Sequence, residues 1–118
     1  MKFLCLVYMT PDVFDGWTPA QSQTLIDRAM DYDVKLRSAG QFVAADALEP
    51  VTAARTVRVR DGKASITDGP FAETREVLGG FTLIDAKNMD EAVAIATGMP
   101  MAGVGSIEVR PILNLSHS

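Results

Sequence analysis

An α+β domain of the ferredoxin-like split βαβ type, with an inserted β-hairpin, is the fold this sequence predicts. Residues 2–9 are apolar at both parities, the pattern of a strand covered on both faces. Two amphipathic helix patterns, at Thr18–Gly40 and from Asn88, are each followed by a strand-like run. Between these two β-α-β units lies an alternating segment around Asp61-Gly62, which has the chemistry of a tight hairpin turn. In that order the first strand and the strand from Gly80 lie centrally, and both helices cover the same sheet face. The second face of the first strand then needs a cover. A second copy packed sheet to sheet supplies it, so the expected assembly is a homodimer forming a dimeric α+β barrel.

Along the chain, Phe3, Cys5, Val7 and Met9 fall on one side of the first strand and Leu4, Leu6 and Tyr8 on the other. After a turn-rich stretch to Gly16, Thr18-Pro19-Ala20-Gln21 combines a cap, a proline at the first helical position and Gln three residues after the cap, which marks a helix start. Leu25, Ala29, Tyr32 and Leu36 then recur at helical spacing, and Gly40 is placed to end the helix in a left-handed conformation. Gln41–Leu48 reads as a short strand stopped by Glu49-Pro50. Residues 55–60 and 63–67 form the two-stranded arm, with Arg58 and Arg60 on a charged face. Gly80–Ala86 is the next strand, and Gly79-Gly80 reads as a bulge or bend leading into it. Asn88-Met89-Asp90-Glu91 resembles a capping box opening the second helix, which Gly98 and Pro100 end. Ser106–Leu113 is the last strand. The organisation is one domain over residues 1–113, with a flexible tail at 114–118.

Composition narrows the classes of function. A chain of 118 residues, 47% apolar, buries a core without metal or disulfide staples. A net charge of −4 and a pI near 4.8 exclude the basic footprint of a nucleic-acid binder. The single cysteine, Cys5, lies inside an apolar run and reads as a small buried hydrophobe. The apolar run Phe3–Met9 has seven residues and breaks at Thr10-Pro11, too short for a membrane span and unlike a signal peptide. Cytoplasmic residence without a membrane partner is expected. No metal-ligand spacing or dinucleotide fingerprint is present, so no metal or cofactor is expected.

The most distinctive segment is Thr67–Ala86, TDGPFAETREVLGGFTLIDA. With MKFLCLVYM at the start, LRSAG closing the first helix, the TVRVRDG hairpin and the terminal IEVRP, it makes the chain resemble the YCII-related family in its DGPF-type branch. The resemblance covers Met1 to about Pro111 and implies a ferredoxin-like dimeric α+β barrel. It further implies kinship with lyase-like or dehydrochlorinating enzymes that act on ring compounds through a His–Asp pair. DGPF-type members are also companions of, or fusions to, extracytoplasmic-function sigma factors. Alignment at Leu36–Gly40 places Ala29 or a neighbour at the histidine position, and Met99-Pro100 occupies the place of the acidic partner. Both members of the pair are therefore missing. The only histidine, His117, is expected to be a surface side chain of the tail.

What remains for acid–base chemistry is a set of carboxylates, Asp46, Asp68, Glu73 and Asp85, at strand ends or inside strands. Asp46 and Asp68 are the candidate catalytic pair, since two carboxylates sharing a poorly solvated cleft push their pKa values apart and leave one protonated. Candidate ligand contacts are Tyr8 at the rim, Arg58 on the arm, and Gly69, Pro70, Phe71 and Glu73. Each has a structural alternative. Asp68 and Pro70 make a turn in which Phe71 plugs the core, Asp46 pairs with Arg58 or Arg60, and Tyr8 packs with a solvated hydroxyl. Phe14 and Trp17 form either a pocket lip or a hydrophobic staple. The function expected is small-molecule binding in a carboxylate-lined cleft between the sheet and the arm, with lyase-type chemistry. The alternatives are a regulatory module beside a sigma factor and a purely structural dimerisation unit.

Overall fold

A computed structural model describes residues 1–115 of the chain; His117 lies outside the described residues. The elements are β1 (Lys2–Met9), α1 (Pro19–Ser38), β2 (Phe42–Ala47), β3 (Arg55–Arg60), β4 (Lys63–Asp68), β5 (Val77–Asp85), α2 (Met89–Thr97) and β6 (Ser106–Pro111), with single 3-10 turns at Val51–Ala53 and Pro100–Gly103. Strands β2-β5-β1-β6 form one antiparallel sheet, and β3-β4 form a separate hairpin. This is the expected split βαβ order with an arm. None of the helices among the described residues is long and apolar enough to cross a membrane.

Capping chemistry delimits the helices as the sequence predicts, with one difference. The Thr18 hydroxyl accepts from the Gln21 amide at 3.1 Å, and the Gln21 side chain accepts from the Thr18 amide at 2.9 Å. Gly40, at φ +73°, ends α1: its N–H donates to the Arg37 carbonyl at 3.0 Å, and the Gln41 N–H donates to Leu36 at 2.9 Å. At α2 only half of the box forms. Asn88 accepts from the Glu91 amide at 2.9 Å, while the Glu91 carboxylate takes the Lys87 amide at 3.2 Å instead of that of Asn88.

The register sorts the sheet into two faces. Phe3, Cys5 and Val7 of β1 lie opposite Ile84, Thr82 and Gly80 of β5, and this face meets the helices. Leu4, Leu6 and Tyr8 lie opposite Leu83, Phe81 and Leu78 on the face that no helix covers. The core gathers Phe3, Cys5, Ile84 and Leu36 with Ala92, Ile95, Ala96 and Met99. Cys5 is fully buried, and burial pushes its thiol up to about 11, so it is an inert packing residue, as its apolar context indicates.

Two glycines have steric reasons. The β1–β5 register slips between Val7 and Tyr8, leaving Gly79 as the extra residue of a bulge. At Gly80 a side chain would meet the Asp46 carbonyl at 2.9 Å and the Ala47 Cα at 3.3 Å. Bare backbone is what lets β2 close on β5. Gly98, which ends α2, sits at φ −81°, outside the left-handed region. It is small because the Tyr32 ring lies against it, with Cζ 2.8 Å from where a Cβ would stand. The Tyr32 hydroxyl donates to the Ile95 carbonyl at 2.6 Å and ties α1 to α2.

The arm departs from expectation in its second face. Asp61 (φ 53°) and Gly62 (φ 74°) form its turn as predicted, and Thr56, Arg58 and Arg60 lie opposite Thr67, Ser65 and Lys63 on the charged face. The other face carries Val57, Val59, Ala64 and Ile66, all exposed. Phe71 does not plug the core: it is 78% exposed. Its segment is held at the arm base, where the Gly69 N–H donates to Ala54 at 2.7 Å and the Thr56 hydroxyl donates to the Gly69 carbonyl at 2.9 Å.

Gly80→Ala is expected to lose about 1–3 kcal/mol of stability, because backbone rather than a side-chain tip must yield; urea denaturation measures it. Tyr32→Phe is expected to cost about 1 kcal/mol through loss of the interhelical hydrogen bond, read in the same assay.

Candidate functional site

Helix α2 ends at Thr97, and the 3-10 turn Pro100–Gly103 follows it. Buried Phe3 and Cys5 give way along β1 to half-buried Val7 and Met9. There a cavity of about 820 Å³ opens. Val7 and Met9 line it from β1, Leu25, Ala29, Tyr32 and Asp33 from α1, Val77–Thr82 from β5, and Met99–Met101 and Ile107 from the remaining wall. The Pro11–Phe14 turn and residues 45–52 border it. Phe14 borders the cavity and meets Trp17 edge to face, with ring centroids 5.1 Å apart; Trp17 itself is outside the lining.

Of the sequence-predicted site residues, only Asp46 borders this cavity. It is exposed, stands opposite Phe81, and forms no ion pair with Arg58 or Arg60 among the described residues. Asp68 pairs instead with Arg55 across the arm, at 3.6 Å, with its side chain 94% exposed. The proposed carboxylate pair is thus not assembled: Asp46 sits on the sheet edge and Asp68 on the arm. Tyr8, Arg58, Gly69, Pro70, Phe71 and Glu73 are likewise outside the lining. Tyr8 alternates with Val7 and Met9 and so belongs to the opposite sheet face. Asp85 takes the N-terminal ammonium at 3.0 Å. The hydrophobic cleft lies between sheet and helix rather than between sheet and arm.

The positions that the family resemblance assigns to a His–Asp pair do converge. Ala29 and Met99-Pro100 line the same cavity, without an ionisable group between them. The carboxylate that faces this space from α1 is Asp33, one turn after Ala29. It is half-buried. Desolvation raises its pKa, and the charge of Arg37 one turn further on partly offsets the rise. Arg37 itself is stacked over the Phe42 ring, 4.2 Å from its centroid. Sequence reasoning passed over Asp33 because it reads as one more acid on a polar helix flank. The signal available was its i+4 spacing from Ala29. Among the described residues no group of three or more His, Cys, Asp or Glu is placed to hold a metal ion.

Comparison with known proteins agrees with this architecture. A solved 5-chloro-2-hydroxyhydroquinone dehydrochlorinase from Burkholderia phenoliruptrix AC1100, in complex with 2,5-dihydroxybenzoquinone, superposes with a TM-score of 0.52 at 17% identity, over 99% of this chain and 98% of its own. At that identity the likeness is one of fold. An uncharacterized protein of Rhizobium meliloti (strain 1021) is 36% identical over 114 residues, 95% of this chain and 92% of its own. The family model of the YCII-related domain matches residues 1–116. The family model and the 36% identical relative, each over nearly the whole chain, agree, and the chain belongs to the YCII-related family.

Proposed function

We propose that this protein binds a small, largely apolar ring compound in the α1 cavity and performs lyase-type chemistry on it, with Asp33 as the acid–base group. The observation that carries this reading is a half-buried carboxylate in the cavity that Ala29 and Met99-Pro100 also line. Burial raises the Asp33 pKa, the direction that makes its carboxylate a stronger base. In such an elimination Asp33 takes a proton from a carbon next to a carbonyl. The C–H electron pair becomes the new double bond, and the leaving group departs from the adjacent carbon with its own electron pair. The fold relative that is a dehydrochlorinase supports this class of chemistry. Asp68-Gly69-Pro70-Phe71 supports placement in the DGPF-type branch.

The working unit in this reading is a homodimer. Leu4, Leu6, Leu78, Phe81 and Leu83 share the face without helices, and a second sheet is the cover that buries them most completely. Light scattering at micromolar concentration is expected to give the mass of two chains, and Leu6→Arg to give one.

Asp33→Asn is expected to abolish turnover of ring substrates while leaving the protein folded. Its effect on stability has a definite sign. Burial raises the folded-state pKa of Asp33, so its favourable contribution is complete below the unfolded-state pKa and is lost as pH rises through the folded-state value. At neutral pH the ionised carboxylate therefore costs stability. The Asn variant should melt at or above the wild-type temperature at pH 7, and the difference should vanish in acid. Unchanged turnover in the variant overturns the catalytic role. Copurification with a sigma factor and no turnover would favour the regulatory alternative.

A further inference from the structure

The charged residues along the cavity are all of one sign. Asp33 lies on the α1 wall and Glu49 on the loop after β2, and the lining among the described residues holds no Lys, Arg or His; Asp46, opposite Phe81, turns its side chain to the sheet face without helices. The interior behind them is soft and apolar: Val7, Met9, Leu25 and Met99. Thioethers and aliphatic groups receive an aromatic body well. Phe14 and Tyr32 on the same lining add aromatic rings whose faces attract cations.

We propose that the ligand of this cavity is an organic cation, an apolar ring bearing a protonated amine, and that anionic ring compounds are rejected. The proposal rests on the α1 cavity being the binding site and goes further by assigning the charge of its occupant. An anion brought against Asp33 meets a like charge in a partly desolvated setting, where no basic lining residue offsets the repulsion. An ammonium there makes a charge-assisted hydrogen bond to the carboxylate. Arg37 and Lys35 do not reverse this sign. The Arg37 guanidinium stacks on Phe42, and the Lys35 ammonium lies 6.0 Å from the Tyr32 ring centroid; neither residue lines the cavity. A quinone or phenol that ionises near neutrality is accordingly a poor ligand, although the solved dehydrochlorinase holds 2,5-dihydroxybenzoquinone.

Three near-isosteric probes separate charge from shape: phenethylamine, 2-phenylethanol and phenylacetate, titrated calorimetrically into the full chain at neutral pH. The amine is expected to bind about tenfold or more tighter than the alcohol, and phenylacetate to bind weakest. In the double variant Asp33→Asn/Glu49→Gln the advantage of the amine over the alcohol should disappear. If the alcohol or phenylacetate binds as well as the amine in the wild type, the charge assignment is overturned and the cavity site stands. If none of the three binds, both fail. Retention of the amine preference in the double variant also overturns the proposal, since the preference then has another source.

Discussion

The protein is organised by a mismatch between its central strand and its second helix. β1 spans eight residues, roughly 27 Å at strand rise, whereas α2 has nine residues and covers only about 14 Å at helical rise. One helix can seal half of the strand. The sealed half contains Phe3 and Cys5 at 1% and 0% exposure, packed by Ala92, Ile95 and Ala96. The other half contains Val7 and Met9, which line the cavity. Gly98 and Pro100 hold this limit, the first by making room for Tyr32 and the second by preventing further helix.

That mismatch makes α1 both a structural wall and a chemical one. Leu25 and Leu36 are buried, and Tyr32 anchors the helix to the end of α2. Between these fixed points Ala29 and Asp33 line the opening. A carboxylate in that position is expensive for folding, because water is partly withdrawn without a full ion pair in exchange. Retaining such a group is understandable if it serves ligand binding, since functional sites are where local stability is sacrificed.

The arm is a second, separate consequence of the chain's layout. Two isolated strands are marginal in water, and here their turn is held by Asp61 and Gly62 and their base by Thr56, Gly69 and the exposed Arg55–Asp68 pair. The most distinctive string of the sequence, from Asp68 to Thr74, thus sits at the base of this arm. Its residues do not line the cavity, and Phe71 faces solvent. A motif that identifies a family is therefore not by itself a map of its chemistry. The positive φ of Gly69, 93°, and its hydrogen bonds to Ala54 and Thr56 account for the local geometry.

Local chemistry by itself determined most of the architecture. Caps at Thr18 and Asn88, the left-handed Gly40, the Asp61-Gly62 turn and the two-sided apolar pattern of residues 2–9 specify elements through neighbours within a few residues, so all were legible in the chain. The sheet order followed from the β-α-β repeat, and the fate of Cys5 from its apolar flanks. Only the tertiary structure decided the site. Whether Asp46 and Asp68 meet depends on where the arm leaves the sheet, and whether Asp33 is desolvated depends on how far α2 extends over β1. Both are contacts between elements distant in sequence, which periodicity and turn chemistry do not encode. Even the small size of Gly98, legible as a helix end, has its physical cause in the Tyr32 ring across the core.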